Sequence, residues 1–283
     1  MGNQMFQYAL GLQLADQLGA ELRLEVGNLL YRNKPPGFTY RNYDLDVFKV
    51  EPHFLVRPEL LAPLMNLRVG PLGRLVRRLG ERGYPVVEEP HFHFAPELLT
   101  DARENAIYEG WFQSPRYFAG VEDRVRTAFT YRRPLLEASR GLADRIAAHD
   151  AVCLNVRRTD FLTTDVLNAT DQAYFERGAA YLTERLDTPR IFVFSDDVVW
   201  CRNNLRFDAP TEFIGHEHKG FKFGNYHRLM RLCNHFVIPN SSFAWWAAWL
   251  NENAGKMVVA PRHWFTDPTI DTSDLVPERW IRL

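Results

Sequence analysis

Cysteine is scarce in this chain. The three that occur, Cys153, Cys201 and Cys233, are odd in number and far apart, and no two stand at zinc-ligand spacing. That excludes a disulfide framework or a structural zinc site as the organising device, and a reducing, cytoplasmic setting is expected. Long apolar runs are missing too. The longest, residues 243–250, is eight residues, against about 18–20 for a membrane span. No basic start followed by an apolar stretch and a small-residue cleavage site is visible, so no signal peptide is expected. Neither sign of charge is in excess: 34 basic and 35 acidic residues leave a net charge of −1, which excludes a bulk nucleic-acid footprint. Glycine-rich phosphate loops are lacking, so the dinucleotide fingerprint and the P-loop are both ruled out. His91 and His93 alternate with Phe92 and Phe94, and His216 and His218 flank Glu217. Neither pair has a third ligand at metal spacing, so a metal hydrolase is the weakest reading and no metal is expected.

What is present is ordinary globular composition, 46% apolar and 24% charged over 283 residues, a length that favours two domains. Met5, Tyr8, Ala9, Leu12, Ala15 and Leu18 recur at helical spacing, and Gly19 is placed to stop that helix. Residues 21–26 read as a strand. Residues 28–83 are irregular, with a basic patch at Arg74, Arg77, Arg78 and Arg82. The patch reads as a solvated helix face or as a docking surface for acidic lipid headgroups, hence a peripheral membrane contact. The aromatics Tyr108, Trp111, Phe112, Tyr117 and Phe118 read as core or interface packing, with a sugar-stacking surface as the alternative. A helix over 136–149 closes the first half, which puts the domain boundary between residues 148 and 149. Beyond it, apolar strands (151–156, 190–194, 236–238, 256–260) alternate with helices (174–186, 227–233, 243–251). Such a pattern predicts an α/β fold whose parallel sheet is covered on both faces.

Three of these strands end alike. The first runs into Arg157-Arg158-Thr159-Asp160, the second into Ser195-Asp196-Asp197, and the third into Asn240-Ser241-Ser242 just ahead of a helix. Ligands of open parallel sheets sit outside the carboxyl ends of strands, so these clusters predict one shared site. Arginines supply bidentate donors for phosphate, and a helix start supplies free N–H groups and the positive end of a dipole. The bland alternatives are a plain helix cap for the serines and ion pairs to Asp196 or Asp197 for the arginines. A nucleotide diphosphate leaving group fits such a site.

These residues resemble a known family. Gly2-Asn3-Gln4-Met5-Phe6-Gln7-Tyr8-Ala9 resembles the opening of the bacterial and animal α-1,2-fucosyltransferases (glycosyltransferase family 11 type). Val156-Arg157-Arg158-Thr159-Asp160-Phe161 resembles the arginine motif that they share with α-1,6- and protein O-fucosyltransferases. Phe194-Ser195-Asp196-Asp197 with Trp200-Cys201, and the run from Leu229-Met230 through Asn240-Ser241-Ser242-Phe243 to the tryptophans 245, 246 and 249, complete the likeness. The resemblance implies a GT-B-type α/β protein, with two Rossmann-like domains whose parallel sheets face across a cleft. Residues 1–148 would serve the acceptor and residues 149–283 the donor. It further implies metal-independent, inverting transfer of L-fucose from GDP-β-L-fucose to the 2-hydroxyl of a terminal galactoside, with no cofactor. By the same analogy Arg157 holds the β-phosphate, and Asn155, Arg158, Ser195, Asp196, Asp197, Tyr226, Asn240, Ser241, Ser242 and Phe243 belong to the donor site. Asn3, on an opening loop, would face the fucose, with Gln4, Phe6 and Trp111 on the acceptor side. Asp160 is a base or an ion-pair partner that orients the arginines.

Three departures from the family pattern stand out. The strand that relatives carry ahead of Gly2-Asn3-Gln4 is expected to be missing or cut off by a misassigned start, Asn155 replaces a histidine, and Tyr226 stands where relatives place an aspartate that accepts from guanine. Related transferases with another linkage or donor remain open, as does a glycan-binding protein without turnover.

Overall fold

The structure, a computed structural model, describes residues 1–30, 42–55, 83–159, 165–167 and 169–283. The arginine patch at 74–82 and Asp160 lie outside the described residues. The chain divides into two compact units, Met1 with Asn3–Thr130, and Gly2 with Tyr131–Leu283. This division falls ahead of the expected 148/149 boundary because the segment from Tyr131 onward packs on the second unit. Leu136 donates its N–H to Asn225 Oδ1 at 3.0 Å, and Ser139 Oγ hydrogen-bonds His218 Nδ1 at 2.9 Å.

In the first unit, helix α1 (Gly2–Leu18) carries buried Met5, Phe6, Ala9, Leu10 and Leu14. Gly19 ends it in the left-handed conformation at φ 63°, and Ala20 N–H closes the turn on Ala15 O at 3.0 Å; glycine meets that geometry without a Cβ penalty. Strand β1 (Leu24–Glu25) pairs with β2 (Phe54–Leu55), and β3 (Val86–Glu88) with β4 (Ile107–Glu109), both in parallel. Helix α2 (Glu122–Ala128) follows. The core is aromatic: Phe6 meets Phe118 at 6.4 Å between ring centroids, and Phe48 meets Phe129 at 5.1 Å.

The second unit begins with α3 (Arg140–Ala147) and alternates β5 (Asp150–Val156), α4 (Gln172–Thr183), β6 (Pro189–Ser195), α5 (Val198–Asn204), β7 (Thr211–Ile214), α6 (Gly224–Leu232), β8 (His235–Val237), α7 (Ser242–Leu250), β9 (Val258–Ala260) and β10 (Ile281–Arg282). All six strands are parallel, in the order β10-β9-β8-β5-β6-β7. The expected α/β class is therefore the observed one. The first strand lies in the middle, the next two are added on one side, and the last three on the other. The direction of winding reverses between β5 and β8, which makes their carboxyl ends the topological switch point.

Helix α7 is apolar all round and accordingly buried all round: Ala244 through Leu250 lie in the core. Trp245 donates its Nε1–H to Leu275 O at 2.9 Å, so the indole keeps a partner inside. At the other end of the helix, Lys256 Nζ donates to Ala248 O at 2.8 Å, a cation at the negative end of the dipole.

Helix α4 approaches the sheet through Gly178. A Cβ there would stand 2.8 Å from Val237 Cγ1 and 3.3 Å from Val259 Cγ1. The gain in helix propensity on replacing Gly by Ala is about 1 kcal/mol, whereas overpacking a tight core costs about 1–3 kcal/mol. Gly178→Ala is expected to destabilise the protein by roughly 1–2 kcal/mol in urea unfolding. A variant as stable as the parent would refute this close approach.

Candidate functional site

Three strand ends meet at the switch point, and the Asp196 carboxylate joins two of them. The β5–β6 register sets Val156 beside Ser195, so the residues that follow each strand emerge side by side. Asp196 accepts from Arg158 N–H at 2.9 Å, Thr159 N–H at 3.1 Å and Thr159 Oγ1 at 2.5 Å, and it pairs with Arg157 Nη1 at 3.3 Å. The Arg157 side chain stays 34% exposed, oriented by a carboxylate yet open to solvent. Arg158 is drawn aside. Its guanidinium lies 3.6 Å from the centroid of the Trp200 ring, with Nε 3.6 Å from Asp197 Oδ2. Asp197 caps α5 by accepting from Trp200 N–H at 3.0 Å, and its own N–H donates to Ser195 Oγ at 2.9 Å. The ion pairs and the open arginine thus coexist in one arrangement.

The start of α7 forms the other side. Ser241 occupies the cap position in extended conformation, but its side chain makes no capping bond to the first turn. The first-turn N–H groups of a helix have no partner within the helix, so an uncapped start favours anions. Asn240 is buried and donates Nδ2–H to Leu167 O at 2.8 Å, while its Oδ1 has no hydrogen-bond partner among the described residues. Ser242 is the first helical residue and is half-buried. Phe243 meets the His227 ring nearly at right angles, 4.8 Å between centroids.

Several expected ligand-facing residues are placed otherwise. Asn155 is buried below the site and donates Nδ2–H to Phe194 O at 3.1 Å. Ser195 is buried, its hydroxyl taken by Asp197 and its carbonyl by His216 Nε2 at 2.8 Å. Tyr226 is 2% exposed and donates its hydroxyl to Ile214 O at 2.6 Å; burial pushes its ionisation well above the usual range. It therefore packs in the core beside Phe194 rather than offering its hydroxyl to a base. In the first unit, Asn3 lies in the first turn of α1 rather than on a loop, and its Oδ1 accepts from Gln113 Nε2 at 3.1 Å. Gln4 binds backbone, donating to Asn42 O at 2.7 Å and accepting from Asp44 N–H at 2.8 Å. Phe6 is fully buried and belongs to the core, not to an acceptor surface. Trp111 is 53% exposed, unlike the neighbouring Phe112, Tyr117 and Phe118. The Glu89 carboxylate receives Trp111 N–H at 2.7 Å and Phe112 N–H at 3.0 Å. His91 and His93 stack on each other at 3.6 Å in the first unit, whereas in the second His218 is bound to Ser139 and His216 to the Ser195 carbonyl.

An α/β unit that brings an oriented arginine and an uncapped helix start to its switch point has the anatomy of a domain that holds a nucleotide's phosphates. The sequence profile of glycosyl transferase family 11 matches residues 84–283, and the chain belongs to that family. It is similar over its whole length to an alpha-1,2-colitosyltransferase of Escherichia coli, 26% identical over 293 residues that cover 100% of this chain and 96% of the relative. A galactoside alpha-(1,2)-fucosyltransferase 1 of Bos taurus is 28% identical over 146 residues, 47% of this chain and 40% of its own. Among solved structures, the ADP-heptose lipopolysaccharide heptosyltransferase II of Escherichia coli aligns over 99% of this chain and 86% of that one, with 14% identity and a TM-score of 0.43. Among the described residues, no helix is long and apolar enough to cross a membrane.

One buried group below the site titrates. His227 hydrogen-bonds the Tyr131 hydroxyl through Nδ1 at 2.7 Å, and burial, aided by Arg231, pushes its pKa from 6.5 down to about 3. The unfolded chain therefore binds more protons between about pH 6.5 and pH 3, so stability is full above that window and falls as the pH drops through it. From pH 7 to pH 5 this group should remove about 2 kcal/mol. Urea unfolding of His227→Gln is expected to show a smaller loss over that interval than the parent; equal losses would rule out a neutral buried His227.

Proposed function

We propose that this chain is an inverting glycosyltransferase that moves L-fucose from GDP-β-L-fucose to the 2-hydroxyl of a terminal galactoside. Family membership supports glycosyl transfer. The observation that carries the donor side is Arg157, left partly exposed while the Asp196 carboxylate pairs with its guanidinium and holds the backbone N–H groups of the next two residues. In such a reaction the sugar becomes oxocarbenium-like while negative charge grows on the leaving diphosphate. Arg157 and the N–H groups at the start of α7 are donors aimed at that charge, which is where electrostatic preorganisation lowers a barrier. They supply the positive charge that a divalent cation provides elsewhere, so the proposed transfer needs no metal or cofactor. Ser241 and Ser242 hold phosphate oxygens in this reading. Asp160 follows Thr159 in sequence and serves as base or as a further orienting carboxylate.

The acceptor belongs to the first unit in a GT-B division of labour. A cavity of about 920 Å³ there is lined in part by Gln4, Gln7, Glu88, Glu109 and Trp111. Carboxylates and amides around an exposed indole suit the hydroxyls and apolar face of a neutral pyranose. The likeness to a colitosyltransferase favours one second reading, in which the donor sugar is colitose, a fucose that lacks its 3-hydroxyl.

The test is mass-spectrometric detection of transfer from GDP-fucose, GDP-colitose and UDP-sugar controls to a panel of β-galactosides. A fucosylated product with GDP release establishes the proposal, and product from GDP-colitose alone establishes the second reading. Glycan binding without nucleotide release would make the chain a sugar-binding protein. Arg157→Ala is expected to lower kcat at least about a hundredfold, as loss of one charge-stabilising donor does. Trp111→Ala is expected to raise the acceptor KM about tenfold with donor affinity unchanged. Near-parental values would remove each residue from its role.

A further inference from the structure

The burial of Tyr226 leaves the base of the proposed donor without a reader among the described residues assigned to the donor site, and the segment just before it is the most strained among the described residues. Lys222 and Phe223 are consecutive non-glycine residues in the left-handed region, at φ 48° and φ 61°, and Gly220 sits at φ 63°. A bulky residue at positive φ is a true outlier, and such strain gathers where a ligand or switch needs it. The strained turn holds Phe223 36% exposed. Its ring stands roughly perpendicular to His216 and Tyr226, with both centroids at 5.9 Å, and Lys219 Nζ lies 5.7 Å from its centroid. The neighbouring Phe221 is 40% exposed, but two cations already lie over its ring, the Arg133 guanidinium 4.1 Å and Lys222 Nζ 5.0 Å from its centroid.

The turn also has the right address. It follows β7, on the same carboxyl edge of the sheet as the arginine cluster, and His216 Nε2 ties it to the carbonyl of Ser195 at the end of β6. In doubly wound sheets the phosphates sit at the switch point, and the nucleoside extends over the strands that follow the first one. Here those are β6 and β7. An exposed aromatic ring with a lysine nearby offers a stacking surface for a heteroaromatic base beside a positive charge.

We propose that Phe223 is the stacking platform for the nucleobase of the donor, with the left-handed Lys222–Phe223 turn serving to present it. This deepens the donor reading above and rests on it. Stacking recognises a flat base and is indifferent to the sugar or diphosphate beyond it, so the inference predicts a base-dependent loss of affinity.

The experiment is calorimetric binding of GDP and of inorganic pyrophosphate to the full chain, to Phe223→Ala, Phe223→Trp and Phe223→Gly. Phe223→Ala is expected to weaken GDP about tenfold, leaving pyrophosphate unaffected, and Phe223→Trp to restore GDP binding. Phe223→Gly relieves the backbone, so it should melt at or above the temperature of the parent while losing GDP affinity to the same degree. That combination is one that a merely structural role would not give. GDP binding equal to the parent in both Phe223→Ala and Phe223→Gly overturns the platform and leaves the donor site standing. Failure of the parent itself to bind GDP overturns the donor reading and the platform with it. Equal weakening of GDP and pyrophosphate would reassign Phe223 to the phosphates and overturn the stacking claim.

Discussion

The Asp196 carboxylate holds the ends of two neighbouring strands to one another, and the geometry of the site depends on it. It receives two backbone N–H groups, one hydroxyl and one guanidinium from three consecutive residues after β5. Charge-assisted bonds of this kind are roughly twice as strong as neutral ones, and here they act together on a short segment. Removing the carboxylate would leave the N–H groups of Arg158 and Thr159 without these partners, and Arg157 without the charge that directs it. The parallel register is what makes this economy possible: Val156 lies beside Ser195, so residue 196 falls next to residues 157–159 with no loop to bridge. Sheet, carboxylate and arginine form one chain of cause.

The opposite side of the site is fixed by burial rather than by charge. Helix α7 has no polar face, and its tryptophans pack on one another, Trp245 with Trp246 at 5.0 Å and Trp246 with Trp249 at 5.3 Å. Fully burying such side chains stabilises by roughly 2–3 kcal/mol each, so the helix cannot shift without a large loss. Its amino end is thereby held at the switch point, and Lys256 satisfies the carbonyls at the far end. A donor array that does not move during reaction is what charge stabilisation requires, since reorganisation would cancel part of its effect.

What was legible in the sequence was what periodicity and composition encode. The continuous apolar runs of β5, β6 and β8 mark the parallel sheet, and the polar residues just after them are the ones the sheet brings together at its carboxyl edge. The edge strand β7, Thr211-Glu212-Phe213-Ile214, is two polar residues followed by two apolar ones and shows neither an apolar run nor a period of two, while β10 has two residues and α5 seven, too short for periodicity to mark. The expected boundary at 148/149 and the observed division at Tyr131 differ because an amphipathic helix carries no mark of which sheet its apolar face will cover; Leu142 and Ile146 of α3 are buried in the second unit. Ser195 is singled out by its place after a strand, and Tyr226 and Phe6 by the family resemblance, and each is buried. Residue type says what a side chain can do, and only the local backbone says where it points. The Lys222–Phe223 turn had no sequence signal, because left-handed backbone is announced by glycine or asparagine and here it falls on lysine and phenylalanine.

That turn persists because its surroundings over-determine it. Asn225, the second residue of α6, accepts from Leu136 N–H at 3.0 Å through Oδ1 and donates through Nδ2 to Ser139 Oγ at 3.0 Å and His218 O at 2.7 Å. Tyr226 N–H reaches back to Lys219 O at 3.2 Å, closing the loop across Gly220. A Cβ at Gly220 would stand 2.6 Å from Asn225 Cβ, so the glycine is needed for close approach as well as for its φ. Two left-handed residues cost on the order of 1–2 kcal/mol each, comparable to the worth of one or two of these buried bonds. The segment from Tyr131 to α3 supplies part of that network, which gives its docking on the second unit a consequence beyond packing. It holds in place a conformation that the local sequence would not choose, at the edge of the sheet where the nucleoside side of a donor would lie.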